Sequence, residues 1–324
     1  MAKSGEISFY RKFGEERNLT PEALYNYFIN KPYSDGNYWS SLLILDLAQM
    51  LKIMPDSKPN GETRLLDIGC GSGWSSEFFA RRGYNVLGLD ICPDFIDTAK
   101  DRIWRCKASG LDLYMDFVVN DYEEAIPPYG KFDVITAYDT LHHITDERRA
   151  IRNLFECLNS GGVMITMEPG INHGKTQNAK EAKRVYNTTE RDMAPITQIE
   201  AMREAGFGTV ETYYRYGHFP MLNLSDSDNV TKQWETFINI AHGVSNGYTA
   251  LVLGKKDGVQ SDYYTFDLQR EIASRVLCSL YDSGKLEHGI ADNLIQIAHA
   301  FKHSRWIKLG RKLGFLKSIN VDKL

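Results

Sequence analysis

The stretch LLDIGCGSGWSSEFFARRG, residues 65–83, decides the fold. Arg64 and the apolar residues Leu65, Leu66 and Ile68 around Asp67 read as a short strand. Gly69, Gly71 and Gly73 then crowd a turn. Residues 73–82 carry a helical pattern that stops at Gly83, a residue that tolerates left-handed backbone at a helix end. A strand, a glycine turn and a helix in direct succession make a ligand-binding loop. Glycine lets the backbone approach a ligand closely, and the helix start offers free N–H groups to an anion such as a carboxylate.

Downstream of this stretch the alternation continues. Residues 85–89 read as a second strand. Pro93 suits a first helical position, and Phe95, Ile96, Ala99, Ile103 and Cys106 recur on one helical face up to Gly110. Residues 111–119 alternate as a third strand, and 132–137 form a fourth. A helix carrying Ile151, Leu154, Phe155 and Leu158 ends at Gly161-Gly162, and 163–167 make a fifth strand. After a gap come a helix at 196–205, ended by Gly206, and strands at 209–216 and 248–254. Strands alternating with helices at this spacing imply βαβ units and a mostly parallel sheet, which binds ligands beyond the carboxyl ends of its strands. Two polar stretches, 171–194 and 217–247, read as loops, and loops of that length are usually functional or disordered.

Composition narrows the class. The chain has 324 residues, 43% of them hydrophobic, and a formal net charge of -4, so it can bury a large core and carries no basic excess that would suit nucleic acid. Cys70, Cys92, Cys106, Cys157 and Cys278 are scattered without a CxxC pair, which fits reduced thiols better than a disulfide framework or a zinc site. The first residues lack the apolar run of a signal peptide, and residues 41–51 are too short to span a bilayer. A soluble, cytoplasmic protein is the expectation.

Acidic residues at the strand ends sharpen the ligand. Asp90 closes the second strand, where a carboxylate can accept bonds from both hydroxyls of a ribose. Asp121, beyond the third, is placed to accept from an adenine amino group. Asp67, beside the glycines, suits a cationic amino-acid tail and would repel a pyrophosphate. A dinucleotide-binding dehydrogenase would want G-x-G-x-x-G, but Trp74 stands where its third glycine belongs.

Taken together, LLDIGCGSGWSSEFFARRG, VLGLDICPDFIDTAK, VVNDYEEA, FDVITAYDTLHHI and LNSGGVMITMEP resemble the class I S-adenosylmethionine-dependent methyltransferases, over roughly residues 65–169 and more weakly to 254. The resemblance implies an α/β, Rossmann-like sheet of seven strands, the last antiparallel, with helices on both faces. It assigns Gly69, Gly71 and Gly73 to the methionine end of S-adenosylmethionine, Asp90 to its ribose, and Asp121 with Tyr122 and Ile91 to its adenine. With Asp67, Cys70 and Tyr138 these make the expected cofactor set. Flanking this core, residues 1–60 read as an N-terminal helical cap, 61–256 as the core with insertions at 171–194 and 217–247, and 263–324 as a C-terminal helical extension.

A hydroxyl acceptor gains most from a base near its proton. His173, His143 and Glu168 are the candidates, all near the ends of the fourth and fifth strands. Asp139, Glu168 and the nearby histidines hold no spacing that announces a metal, and none is expected.

The acceptor is read from the additions. Residues 9–51 are rich in aromatic side chains, which suit a lid over the cofactor, a small core of their own, and stacking on sugars. Residues 168–170, 187–194 and 205–207 resemble methyltransferases of bacterial polysaccharide biosynthesis, and the 304–311 segment resembles endings found in the same pathways. That resemblance implies a sugar hydroxyl in a glycan or lipid-linked glycan. The other readings are methylation of a small natural product or quinone, and a non-catalytic cofactor-binding scaffold. Residues 302–317 form a basic amphipathic pattern with no acid, which suits either the inner face of a membrane or a protein partner.

Overall fold

The computed structural model describes residues 3–124, 126, 129–215 and 250–257, all within one compact unit. The insertion at 217–247, the linker from 258, the C-terminal extension and its basic segment lie outside the described residues.

Three helices come first: α1 (Ser4–Glu16), α2 (Pro21–Ile29) and α3 (Asn37–Ile53). Then β1 (Arg64–Ile68), α4 (Trp74–Arg81), β2 (Asn85–Asp90), α5 (Pro93–Ala108) and β3 (Met115–Val119) alternate as expected. They are followed by β4 (Phe132–Tyr138), α6 (Glu147–Cys157), β5 (Leu158–Met167), α7 (Gln177–Tyr186), α8 (Pro195–Ala205), β6 (Thr209–Tyr214) and β7 (Ala250–Lys255). The strands form one seven-stranded sheet in the order β3-β2-β1-β4-β5-β7-β6. Strands β1 to β5 pair in parallel, and β7 runs antiparallel between β5 and β6.

Both faces of the sheet are covered, which is why β1 reads as a nearly continuous apolar run. Leu65 packs with Val134 and Ile165 under Leu47, Met50, Phe79 and Ile96 of α3, α4 and α5. One residue on, the pleat turns Leu66 to the other face, with Ile135 and Met164 under Ile151, Leu154, Ile199 and Met202 of α6 and α8. Helix α3, expected as part of the cap, therefore belongs to the cover of the sheet. Helices α1 and α2 make a separate aromatic core instead. Phe13, Leu24 and Phe28 are buried there with Tyr186 of α7, and Phe28 meets Phe95 of α5 edge-on at 4.9 Å.

Three expected boundaries move for local reasons. The third strand begins at Met115 because residues 111–114 finish the exit from α5, where the Leu111 N–H closes on the Cys106 carbonyl. The fifth begins at Leu158: Phe132 pairs with Leu158 but Val134 with Val163, so residues 159–162 bulge from the ladder. The stretch 171–194 is not a loop. It holds α7, capped by the Thr176 hydroxyl, which accepts from the Ala179 N–H at 3.1 Å. Only Ala179 and Tyr186 of α7 are buried, with Ala182 and Val185 half-buried beside them, a narrow stripe of mostly small residues that is easily missed in the sequence.

Helix α1 sits tightly on the chain beyond α7. A Cβ at Gly5 would lie 1.8 Å from the Asn187 carbonyl oxygen, and the Glu6 carboxylate accepts from the Thr189 N–H at 2.6 Å. Gly5→Ala should therefore push α1 off this segment and cost about 1–3 kcal/mol, as overpacking does. A thermal melt should show a fall of about 2–4 °C per kcal/mol. An unchanged melting temperature would mean that α1 does not dock this way.

Candidate active site

The strand order reverses between β1 and β4. Their connections leave in opposite directions and open a crevice at the carboxyl ends. The glycine loop after β1 lines one side of it and residues 138–143 after β4 line the other. The two touch: a Cβ at Gly69, where φ is +64°, would lie 2.0 Å from Thr140 Oγ1, so only glycine fits both the backbone and the contact. At Gly71, where φ is +52°, a Cβ would meet nothing within 4 Å, so the loop presents bare backbone to open space there.

Asp67 acts on the loop more than on a ligand. Its carboxylate is buried and accepts from the hydroxyls of Ser75 and Ser76 at 2.7 Å and of Thr136 at 2.8 Å. Burial raises its pKa, and those hydroxyls partly offset the rise. It ties the start of α4 to β1 and β4.

Beside the loop lies a cavity of about 170 Å³, lined by Asp67, Gly69, Cys70, Gly71, Tyr138 and Asp139 from the sheet and by Phe9, Phe28, Lys31 and Leu43 from the first three helices. The N-terminal segment thus contributes side chains to the wall of this cavity. Lys31 brings a cation to this wall. Burial lowers its pKa, while Asp35 and Asp139 act against the shift. Tyr138 is held in place by its hydroxyl, which donates to Asp46 Oδ2 at 2.8 Å, and by Trp74 edge-on at 5.8 Å. A larger open groove of about 880 Å³, between α2 and the outer sides of α4 and α5, shares Lys31 and Trp74 with this cavity but contains none of the loop glycines.

Asp90 stands at the end of β2, followed by half-buried Ile91. Its Oδ2 accepts from the Gly71 N–H at 2.9 Å and its Oδ1 from the Cys92 N–H at 2.8 Å. Each oxygen keeps a lone pair for a further donor. Burial pushes its pKa up to about 6, against the pull of the N–H donors. Asp121 is more committed: Lys3, at the start of α1, pairs with it, and its Oδ1 accepts from the Glu123 N–H at 3.0 Å. Tyr122 does not face the crevice. It is buried, and its hydroxyl lies 2.9 Å from Thr140 Oγ1, so it props the turn after β4 instead of meeting an adenine.

The candidate bases separate sharply. Glu168 is fully buried, and its oxygens accept from the N–H groups of Thr140, Leu141 and His142 and lie 2.8 Å from His142 Nδ1. A carboxylate so engaged is an anchor, and its assignment as a base is corrected on that ground. His143 keeps a side chain 31% exposed, with Nδ1 donating to the Thr189 carbonyl at 2.7 Å. His173 Nε2 is tied to Glu190 at 2.8 Å.

One member of this cluster, Glu190, went unread in the sequence, and His142 was read only among the histidines beside Asp139 and Glu168. Glu190, from the segment after α7, reaches His142, His143 and His173. His142 is the buried centre. Burial opposes its charge, but the Glu168 bond and the charges of Asp139, Glu168 and Glu190 prevail and lift its pKa to about 9. For His143 burial wins, with help from His142, and its pKa falls. Asp139, held at φ +52° with a side chain 54% exposed, links the cluster to the cavity.

Comparison with known proteins agrees with this geometry. Residues 66–166 match the family described as a methyltransferase domain. Over this segment the chain is similar to methyltransferases, in keeping with the class I, S-adenosylmethionine-dependent resemblance of its motifs. Phosphoethanolamine N-methyltransferase 1 of Arabidopsis thaliana is 29% identical over 178 residues, 54% of this chain and 35% of that protein. A ubiquinone biosynthesis O-methyltransferase of Coxiella burnetii is 34% identical over 101 residues, 31% of this chain and 41% of that protein. The chain thus spans well under half the length of these curated relatives. Phosphoethanolamine N-methyltransferase 2 of Haemonchus contortus, solved with S-adenosyl-L-methionine, shares the fold, with a TM-score of 0.50 at 19% identity over 78% of this chain and 60% of that one.

The site residues fit the cofactor of this class. Gly71 leaves room at the loop, Asp90 keeps acceptor capacity, and the cavity pairs the Lys31 cation with buried Asp67 and half-exposed Asp139. Only ionised Asp90 can accept from both ribose hydroxyls. Affinity for S-adenosylmethionine should therefore be level above the Asp90 pKa of about 6 and fall on the order of tenfold for each pH unit below it. Asp90→Ala should weaken binding by about 1.5–3 kcal/mol at neutral pH and abolish this acid limb. Titration calorimetry from pH 5 to 8 measures both. An acid limb that survives in the variant would remove Asp90 from the ribose.

Proposed function

We propose that the chain binds S-adenosylmethionine between the glycine loop and the N-terminal helices and transfers its methyl group to a hydroxyl of a small polar acceptor. The cofactor supplies the activated methyl group on its sulfonium, and the protein supplies position. One observation carries the reading. The open backbone at Gly71, the Asp90 carboxylate and the half-exposed Asp139 meet at a single crevice, roofed by Phe9, Phe28 and Lys31. In it, Lys31 would hold the methionine carboxylate, and Asp90 the ribose.

For the acceptor, a sugar hydroxyl of a glycan or lipid-linked glycan is our leading class. Tyr33, Tyr38 and Trp39 support it. They are 76%, 65% and 54% exposed and sit in the same segment as Lys31 and Leu43, which line the cavity. Exposed aromatic faces suit the apolar faces of sugar rings. Similarity to a ubiquinone biosynthesis O-methyltransferase favours a second class, a phenolic hydroxyl on a quinone precursor.

Two measurements test these assignments. The full chain with S-adenosylmethionine, offered oligosaccharides, a catechol and phosphoethanolamine, should add one methyl mass to an oligosaccharide. Methylation of the catechol or phosphoethanolamine alone would overturn the sugar reading. Separately, Lys31→Met should weaken S-adenosylmethionine binding by about tenfold or more, as loss of a charged hydrogen bond does. It should leave methylthioadenosine, which lacks the amino acid, unaffected. Equal losses for both ligands would mean that Lys31 supports the fold and not the carboxylate.

A further inference from the structure

The cluster behind the crevice concentrates carboxylates and imidazoles. Four carboxylates, those of Glu6, Asp139, Glu168 and Glu190, surround the imidazoles of His142, His143 and His173. Glu168 lies 2.8 Å and Asp139 3.9 Å from His142 Nδ1. Glu190 stands 3.6 Å from His142 Nε2, 3.7 Å from His143 Nδ1 and 2.8 Å from His173 Nε2. Glu6 is 4.0 Å from His143, and its second oxygen is buried with no hydrogen-bond partner among the described residues. His142 and His143 stack at 4.0 Å, which disfavours charge on both rings. The two buried carboxylates among them, Glu168 and Glu190, favour a cation at their side.

The tautomers point the same way. Glu168 takes the proton on His142 Nδ1, and the Thr189 carbonyl takes the one on His143 Nδ1. A metal would take the place of any proton on His142 Nε2, and with Nδ1 donating, the neutral His143 ring keeps Nε2 as its acceptor nitrogen. Metal-bound histidines are oriented in this manner, with the other nitrogen donating to a carboxylate or a backbone carbonyl. Among the described residues, His142, His143 and Glu190 each offer one ligand atom, and these atoms all lie within 4.8 Å of one another. Ligand atoms about 2.0–2.1 Å from a tetrahedral zinc lie about 3.3 Å apart. The 3.6 Å between His142 Nε2 and Glu190 Oε2 is close to that.

We propose that His142, His143 and Glu190 form a binding site for a divalent transition-metal cation of the zinc class. Three protein ligands leave one position of a tetrahedron open, the arrangement of sites that meet a substrate. Exposure shows where it opens. The His142 and Glu190 side chains are 3% and 8% exposed, while that of His143 is 31% exposed. Asp139, next to His142, lines the cofactor cavity. The metal's place beside the acceptor rests on the methyltransferase reading; the site itself does not. The ligand set was invisible in the sequence because Glu190 is brought to the histidines by the segment after α7.

The test uses the full, untagged chain, treated with a chelator and then titrated with Zn²⁺ by calorimetry and with Co²⁺ by visible absorption, both without cofactor. One equivalent per chain should bind, and Co²⁺ should show the intense absorption of tetrahedral coordination. Glu190→Gln and His143→Gln should each lower affinity at least tenfold, with circular dichroism and melting curves confirming that both variants fold. Binding well below one equivalent would overturn the site and leave a proton on His142 as the compensating cation. Equal affinity in wild type and both variants would mean an adventitious ion only. Titration of S-adenosylmethionine into the same preparations separates the two readings. Metal binding without cofactor binding would sink the proposed function and keep this site; the reverse would sink only this site.

Discussion

Glu168 is the interaction on which the site depends. A carboxylate at the end of β5 captures the N–H groups of three consecutive residues, Thr140, Leu141 and His142, and orients the His142 ring as well. Charge-assisted bonds of this kind, made out of water, are among the stronger ones available to a protein. They close the chain after β4 into a short turn, with Asp139 forced to positive φ at its start. The turn in turn places Thr140 against Gly69 and Tyr122, so the glycine loop, the end of β3 and the end of β4 are fixed relative to one another.

A second constraint joins the cap to the site. The aromatic core of α1 and α2 closes on Phe95 of α5 and on Tyr186 of α7, so the cap and the segment after β5 share one packing unit. Lys3 reaches Asp121 and Glu123, and Glu6 reaches the backbone at Thr189. Opening the cap would therefore break ion pairs beyond the end of β3 and a hydrogen bond at the histidine cluster together. The crevice and the environment of the cluster are linked through α1.

Charge balance is handled differently in the two halves of the crevice. Asp67 has its hydrogen bonds satisfied by three hydroxyl donors, and burial raises its pKa. Around His142 the carboxylates depend on imidazoles: burial acts against charge on both adjacent histidines, the Glu168 bond and the surrounding carboxylates overcome it at His142, and burial with the neighbouring His142 charge prevails at His143. Adjacent residues of one type thus hold different protonation states because one contacts Glu168 and the other a backbone carbonyl.

The fold was legible because its signals are local. Hydrophobic period, glycines at the loop and proline at a helix start act within a few residues, and they located the strands, the loop and Asp90. The polar helix α7 was hidden because it buries almost nothing of its own, and α3 was misplaced because an amphipathic pattern does not say what covers it. Sequence alone determined that the chain has a parallel sheet with a cofactor loop and which acidic residues end its strands. Only the tertiary structure decided that Glu168 is an anchor, that Tyr122 faces inward and that Glu190 joins the histidines. The physical reason is that a carboxylate's role depends on the donors around it, and here those donors come from residues distant in the chain.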